Sequence, residues 1–223
     1  LPNGLHLRIH RSDLTYEVAL VPFVAAVIDT PGMVAAALAS ALAPFNVSLA
    51  DIKVDEGRLE NRGLTCEIDE LDANVVLRAD RFEIHFSSVE PADTRSLIDG
   101  VWKALSSGAN TVLAASHSLL FEIDCEFQTG TYGDVLGEFC RPPEGLPKGT
   151  ETAVVYYIPP DKEDGLRDSN IVLNRSAEVE GGILVAATIV FDGSAPGQKD
   201  VIAAGVRRFH QFLKSLDITL GNR

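Results

Sequence analysis

The chain has 223 residues, 46% of them hydrophobic and 23% charged. This balance excludes a disordered, collagen-like or disulfide-scaffold protein, and the length is enough to bury roughly 70–75% of the unfolded surface around a core. Nineteen Lys and Arg against 32 Asp and Glu leave a net charge of −13, so the surface repels phosphate backbones and anionic lipid, and neither nucleic acid nor a membrane is expected as partner.

Read in chain order, residues 16–28 are rich in Val, Phe and Ala and predict a strand ending at Asp29. Thr30-Pro31 follows as an N-cap with Pro at the first helical position, and Met33, Ala37, Leu38 and Leu42 recur at helical spacing until Pro44. Strand-like runs come next at 48–55, 64–69, 74–79 and 81–87. In the last, Phe82, Ile84 and Phe86 alternate with Arg81, Glu83 and His85. Pro91 opens a second helix, with Leu97, Ile98, Val101, Trp102 and Leu105 on one stripe and Gly108 as its C-cap.

From residue 118 to 128 the alternation is again clean, with Leu119, Phe121, Ile123, Cys125 and Phe127 against Glu122, Asp124 and Glu126. A short helix is predicted over 131–139, then strands over 151–158, 170–179 and 183–191, the last two joined as a hairpin through Glu180-Gly181-Gly182. A terminal helix over 198–216 carries Ile202, Val206, Phe209, Leu213 and Leu216 on one side.

Each half thus reads as strand, helix, meander, helix. Nine basic and sixteen acidic residues in 1–110, and ten and sixteen in 111–223, divide the charge almost evenly. The expected fold class is α+β, with two pseudo-symmetric repeats, 1–110 and 111–223, each an antiparallel sheet packed by a long helix and the two forming one compact unit.

Three segments resemble a sporadically distributed family of uncharacterised bacterial proteins. They are Ala79-Asp80-Arg81-Phe82 at the turn into a strand, the stretch from Trp102 into the strand at 119–127, and the late hairpin followed by a helix with Arg208-Phe209-His210 and then Ile218-Thr219. The resemblance implies the same two-repeat architecture and brings no activity with it. The chain departs from that family at Leu184-Val185-Ala186-Ala187, where the family has an acidic strand.

Cys66, Cys125 and Cys140 are odd in number and lack CxxC spacing, which argues against a zinc knuckle or redox pair and for a reducing, cytoplasmic setting. No run is long enough for a membrane helix, since 18–28 is interrupted by Pro22. The N-terminus shows no signal-peptide pattern.

Candidate chemistry is sparse. The carboxylates Glu122, Asp124 and Glu126 lie on one strand face and could offer oxygen ligands to Ca²⁺ or Mg²⁺, but a solvated sheet face explains them better. Gly130-Thr131-Tyr132-Gly133 precedes a helix, yet no Lys follows and Asp134 and Glu138 oppose an anion, so a tight turn is expected there. Ser194 lacks a GxSxG setting, and His210 falls beside Arg207 and Lys214 on a polar helix side. No catalytic, cofactor or metal residues are therefore expected. The favoured reading is a non-catalytic binding or adaptor protein that meets a protein partner, possibly basic, through an acidic face including Glu122, Asp124 and Glu126. The alternative is a small apolar ligand held between sheet and long helix by aromatics such as Phe82, Phe86, Trp102, Phe121, Phe127 and Phe209. An enzyme without a recognisable motif ranks third.

Overall fold

The computed structural model describes residues 4–58, 62–107, 111–136, 152–194 and 200–221. Its strands are β1 (Leu5–Val21), β2 (Ile52–Asp55), β3 (Gly63–Ile68), β4 (Ala73–Arg78), β5 (Arg81–Phe86), β6 (Leu113–Phe127), β7 (Val154–Ile158), β8 (Ser169–Arg175), β9 (Ile183–Asp192) and β10 (Ile218–Gly221). The helices are α1 (Ala26–Asp29), α2 (Pro31–Leu42), α3 (Thr94–Ser106), α4 (Tyr132–Leu136) and α5 (Val201–Ser215).

All ten strands belong to one sheet, in the order β2-β3-β4-β5-β1-β6-β9-β8-β7, with β10 added to β1. This overturns the expected pair of helix-packed repeat sheets. The long strands β1 and β6 pair antiparallel from Leu7↔Phe127 to Val21↔Leu113 and fuse the two halves. Two separate sheets would leave the longest strands with open edges, and an unpaired row of N–H and C=O groups is a liability that fusion removes. All pairings are antiparallel except β1 with β10.

One face of the sheet carries the core. Leu14, Tyr16 and Val18 of β1, Phe82, Ile84 and Phe86 of β5, Leu119, Phe121 and Ile123 of β6, and Ile183, Val185 and Ile189 of β9 are almost fully buried. Helix α3 presents Leu97, Ile98, Val101 and Leu105 to this face, and α5 presents Ile202, Phe209 and Leu213. The rings lock the layers together: Phe121 stacks on Phe209 with centroids 4.5 Å apart, and Phe82 meets Trp102 edge-on at 5.4 Å. In α2 the buried stripe is Val34, Ala35, Leu38 and Leu42, while Met33 is 71% exposed, so the expected stripe is turned by one position there.

The opposite face carries no long helix among the described residues. Antiparallel sheets tolerate this because alternate residues can be polar. No helix of the described residues is long and apolar enough to cross a membrane.

Strand β1 begins at Leu5, eleven residues before the expected start at Tyr16. The cause is a bulge: Ile9 faces Cys125 and Arg11 faces Asp124, leaving His10 as an extra residue. The bulge shifts the inward phase from Leu5, Leu7 and Ile9 to Ser12, Leu14 and Tyr16, so no single period of two runs through the strand. Helix α5 starts at Val201, β7 at Val154, and α4 is described over five residues. Gly108, Gly137, Glu138 and Cys140 lie outside the described residues.

Candidate functional site

The uncovered face is built from the residues that alternate with the core. Its centre is charged. Arg81 of β5 reaches Glu83 at 2.7 Å, Asp80 at 3.1 Å and Glu17 of β1 at 3.6 Å. Glu83 also receives His85, whose Nε2 lies 3.3 Å from its carboxylate; with Nε2 as donor, Nδ1 accepts the Thr15 hydroxyl at 3.0 Å. Partial burial, reinforced by the neighbouring Glu83 charge, raises the Glu17 carboxyl above its usual value although Arg81 acts against the shift.

Toward β7 the same face turns apolar. Leu120, Val172, Leu184, Ala186 and Val190 are partly buried side chains on β6, β8 and β9. Cross-strand registers bring Val155, Val172, Ala186 and Glu122 into one row. On the outermost strand Val155 is 42% exposed and Tyr157 83% exposed.

The three expected partner-binding carboxylates share this face but not one role. Glu122 is exposed and stands in register with Asp13. Glu126 is exposed and paired with Arg8, its cross-strand neighbour. Asp124 is only 8% exposed, and it accepts a 2.6 Å hydrogen bond from the Ser176 hydroxyl. Ser176 Oγ in turn accepts the N–H groups of Glu178 and Val179, which fixes the β8–β9 turn over this carboxylate. Among the described residues no group of three His, Cys, Asp or Glu side chains could hold a metal ion.

The other sequence candidates separate as well. Asp134 caps the turn at 130–133, taking the Thr131 N–H at 2.9 Å and its hydroxyl at 2.8 Å, so a carboxylate occupies the place an anion would need. Phe82, Phe86, Phe121 and Phe209 are almost fully buried core residues. Phe82 meets Trp102 edge-on and Phe121 stacks on Phe209, so these rings pack the layer between sheet and helices. His210, expected as a solvated side chain, is exposed, with Nε2 2.8 Å from the Glu90 carboxylate.

Two features escaped the sequence reading. The first is a fully buried Tyr16–His117 pair. His117 Nε2 lies 3.3 Å from the Gly193 carbonyl, an acceptor, so Nε2 donates and Nδ1 accepts the Tyr16 hydroxyl at 2.9 Å. Burial holds the His117 pKa below the ordinary histidine value, with the Gly193 carbonyl opposing, and burial raises that of the Tyr16 phenol. Both groups stay neutral and tie β1, β6 and the turn after β9 together. The signal was available, because His117 is in phase with Leu119 and Phe121.

The second is a notch in the sheet. On the side of β1 away from β6, the β10 ladder ends at Arg8↔Gly221 and the β5 ladder begins at Leu14↔Phe86. A cavity of about 740 Å³ opens between them. Its apolar floor includes Ile9, Val89, Phe209 and Leu220, and its polar rim includes Asp13, Ser87, Glu90 and His210.

Compared with known proteins, the chain matches no protein-family model and no curated protein significantly.

Proposed function

We propose that this is a non-catalytic binding protein of the bacterial cytoplasm, which takes a protein partner on the uncovered face of its sheet. The observation that supports the reading is the juxtaposition on that face of a centre where Glu17, Glu83, Asp13 and Glu122 outnumber the guanidiniums of Arg81 and Arg11, and an apolar flank, with Leu120, Val172, Leu184 and Val190. Nine neighbouring strands at about 4.8 Å spacing span roughly 40 Å, wide enough for the ~800 Å² that one partner contributes to a standard interface. Affinity comes from the apolar flank, and the carboxylates speed and orient the approach of a basic partner. Of the original acidic trio only Glu122 is free for this role, because Glu126 is held by Arg8 and Asp124 by Ser176.

The test is native mass spectrometry of the chain purified from its own host, repeated with Leu120→Lys and Val172→Lys. The reading expects a stoichiometric protein partner that both substitutions remove without moving the unfolding midpoint. Undiminished partner on both variants, or a small molecule in place of a protein, refutes it.

A further inference from the structure

We infer that the notch beside the β1 bulge is a docking site for a short extended basic segment, with basic and apolar residues alternating. The inference rests on the reading above in one respect, that the partner is a protein. It adds where a segment of that partner enters and what its chemistry must be.

Residues 11–13 are paired with β6 on one side and have no strand beside them on the other among the described residues. In any three consecutive strand residues at least one aims both its N–H and its C=O at a given side. The notch therefore presents strand backbone where a sheet would ordinarily continue, the arrangement used when a peptide adds to a sheet edge. Six steps separate Arg8 from Leu14, about 20 Å at ~3.3 Å per residue, which leaves room for roughly three or four residues of added strand.

The two sides of the notch select the side chains. On the helix side lie the apolar groups Ile9, Val89, Phe209 and Leu220. On the uncovered side a second cavity, about 410 Å³, shares Arg11, Asp13 and Ser87 with the first. Its carboxylates are Asp13, Glu67, Asp69, Asp72 and Glu122, to which the first cavity adds Glu90. The one guanidinium in either lining among the described residues, Arg11, is already held by Asp13 at 2.7 Å and by Glu178 at 3.7 Å. An inserted strand sends alternate side chains to opposite faces. One face meets an apolar floor and the other a set of carboxylates that outnumber their partners Arg11 and Lys53, so the complementary sequence runs basic, apolar, basic.

The experiment uses the purified full chain and three synthetic peptides, followed by amide chemical shifts. The probes are acetyl-Arg-Val-Arg-Val-Arg-amide, its analogue N-methylated at the central Arg, and acetyl-Glu-Val-Glu-Val-Glu-amide. The inference expects saturable shifts at residues 11–13 and 87–90 with the basic peptide. Affinity should fall at least tenfold on N-methylation, no binding should occur with the acidic peptide, and Ser87→Trp, which fills the shared rim from an exposed position, should abolish binding. Absence of binding, shifts confined to other strands, or equal affinity for the N-methylated peptide overturns it. The two readings also fail separately. If Ser87→Trp keeps the host partner that Leu120→Lys loses, the notch inference falls and the face stands; the converse result removes the face and keeps the notch.

Discussion

Replacing Asp124 should destabilise the protein far more than replacing Glu122 or Glu126, although all three occupy equivalent positions in the alternating pattern of β6. Asp124 is 8% exposed and accepts the Ser176 hydroxyl at 2.6 Å, while Ser176 is itself 5% exposed and accepts two backbone N–H groups at 3.1 and 2.9 Å. Asp124→Ala removes the only acceptor for that hydroxyl proton among the described residues and loosens the turn that depends on it. Buried hydrogen bonds to carboxylates contribute about 1.5–3 kcal/mol, which for a chain of this size corresponds to a fall of roughly 3–12 °C in Tm. Asp124→Asn keeps an acceptor oxygen and should lose less. Glu122→Gln should fall within the ~0.5 kcal/mol typical of surface changes, and Glu126→Gln gives up only an exposed ion pair with Arg8. Urea denaturation at constant m-value measures each effect. A double-mutant cycle with Ser176→Ala should recover about 1.5–3 kcal/mol of coupling. An Asp124→Ala midpoint indistinguishable from that of Glu122→Gln would show that the burial and the hydrogen bond contribute nothing, and the account of this turn would be wrong.

Tyr16→Phe leaves the buried Nδ1 of His117 without a donor and should cost about 1–3 kcal/mol in urea denaturation. Because the folded His117 pKa is depressed, its contribution is complete above the unfolded value near ~6.5 and is lost as pH falls through that range; His117→Gln should flatten the stability slope between pH 7.5 and 5, and an unchanged slope refutes the assignment. Burial pushes the Cys66 thiol up to about 11 and the Cys125 thiol up to about 12, so peptide-resolved iodoacetamide labelling at pH 7.5 should leave both unmodified until urea unfolds the chain. Gly193→Ala would place a Cβ 2.0 Å from the Ala114 carbonyl oxygen, and thermal unfolding should show a loss at or above the ~1–3 kcal/mol usual for overpacking.

Local pattern determined much of this protein. Alternation in 81–87 and 118–128 marks β5 and most of β6 and names their inward residues, because a half-buried strand must repeat every two positions, and the apolar run at 183–191 marks β9. The stripes of α3 and α5 follow in the same way from the 3.6-residue turn. The −13 charge already indicated an acidic surface. Tertiary structure decided the rest. The bulge at His10 breaks the period of β1, and a reading that follows Val, Phe and Ala content begins the strand at Tyr16 and misses the segment that forms the notch. Whether two long strands end two sheets or join one depends on edge pairing between residues 92 to 120 positions apart, which no local pattern encodes. The same holds for Glu122, Asp124 and Glu126. Their spacing puts all three on one face, but only the fold of the distant turn at 176–182 over Asp124 separates a buried structural carboxylate from an exposed one.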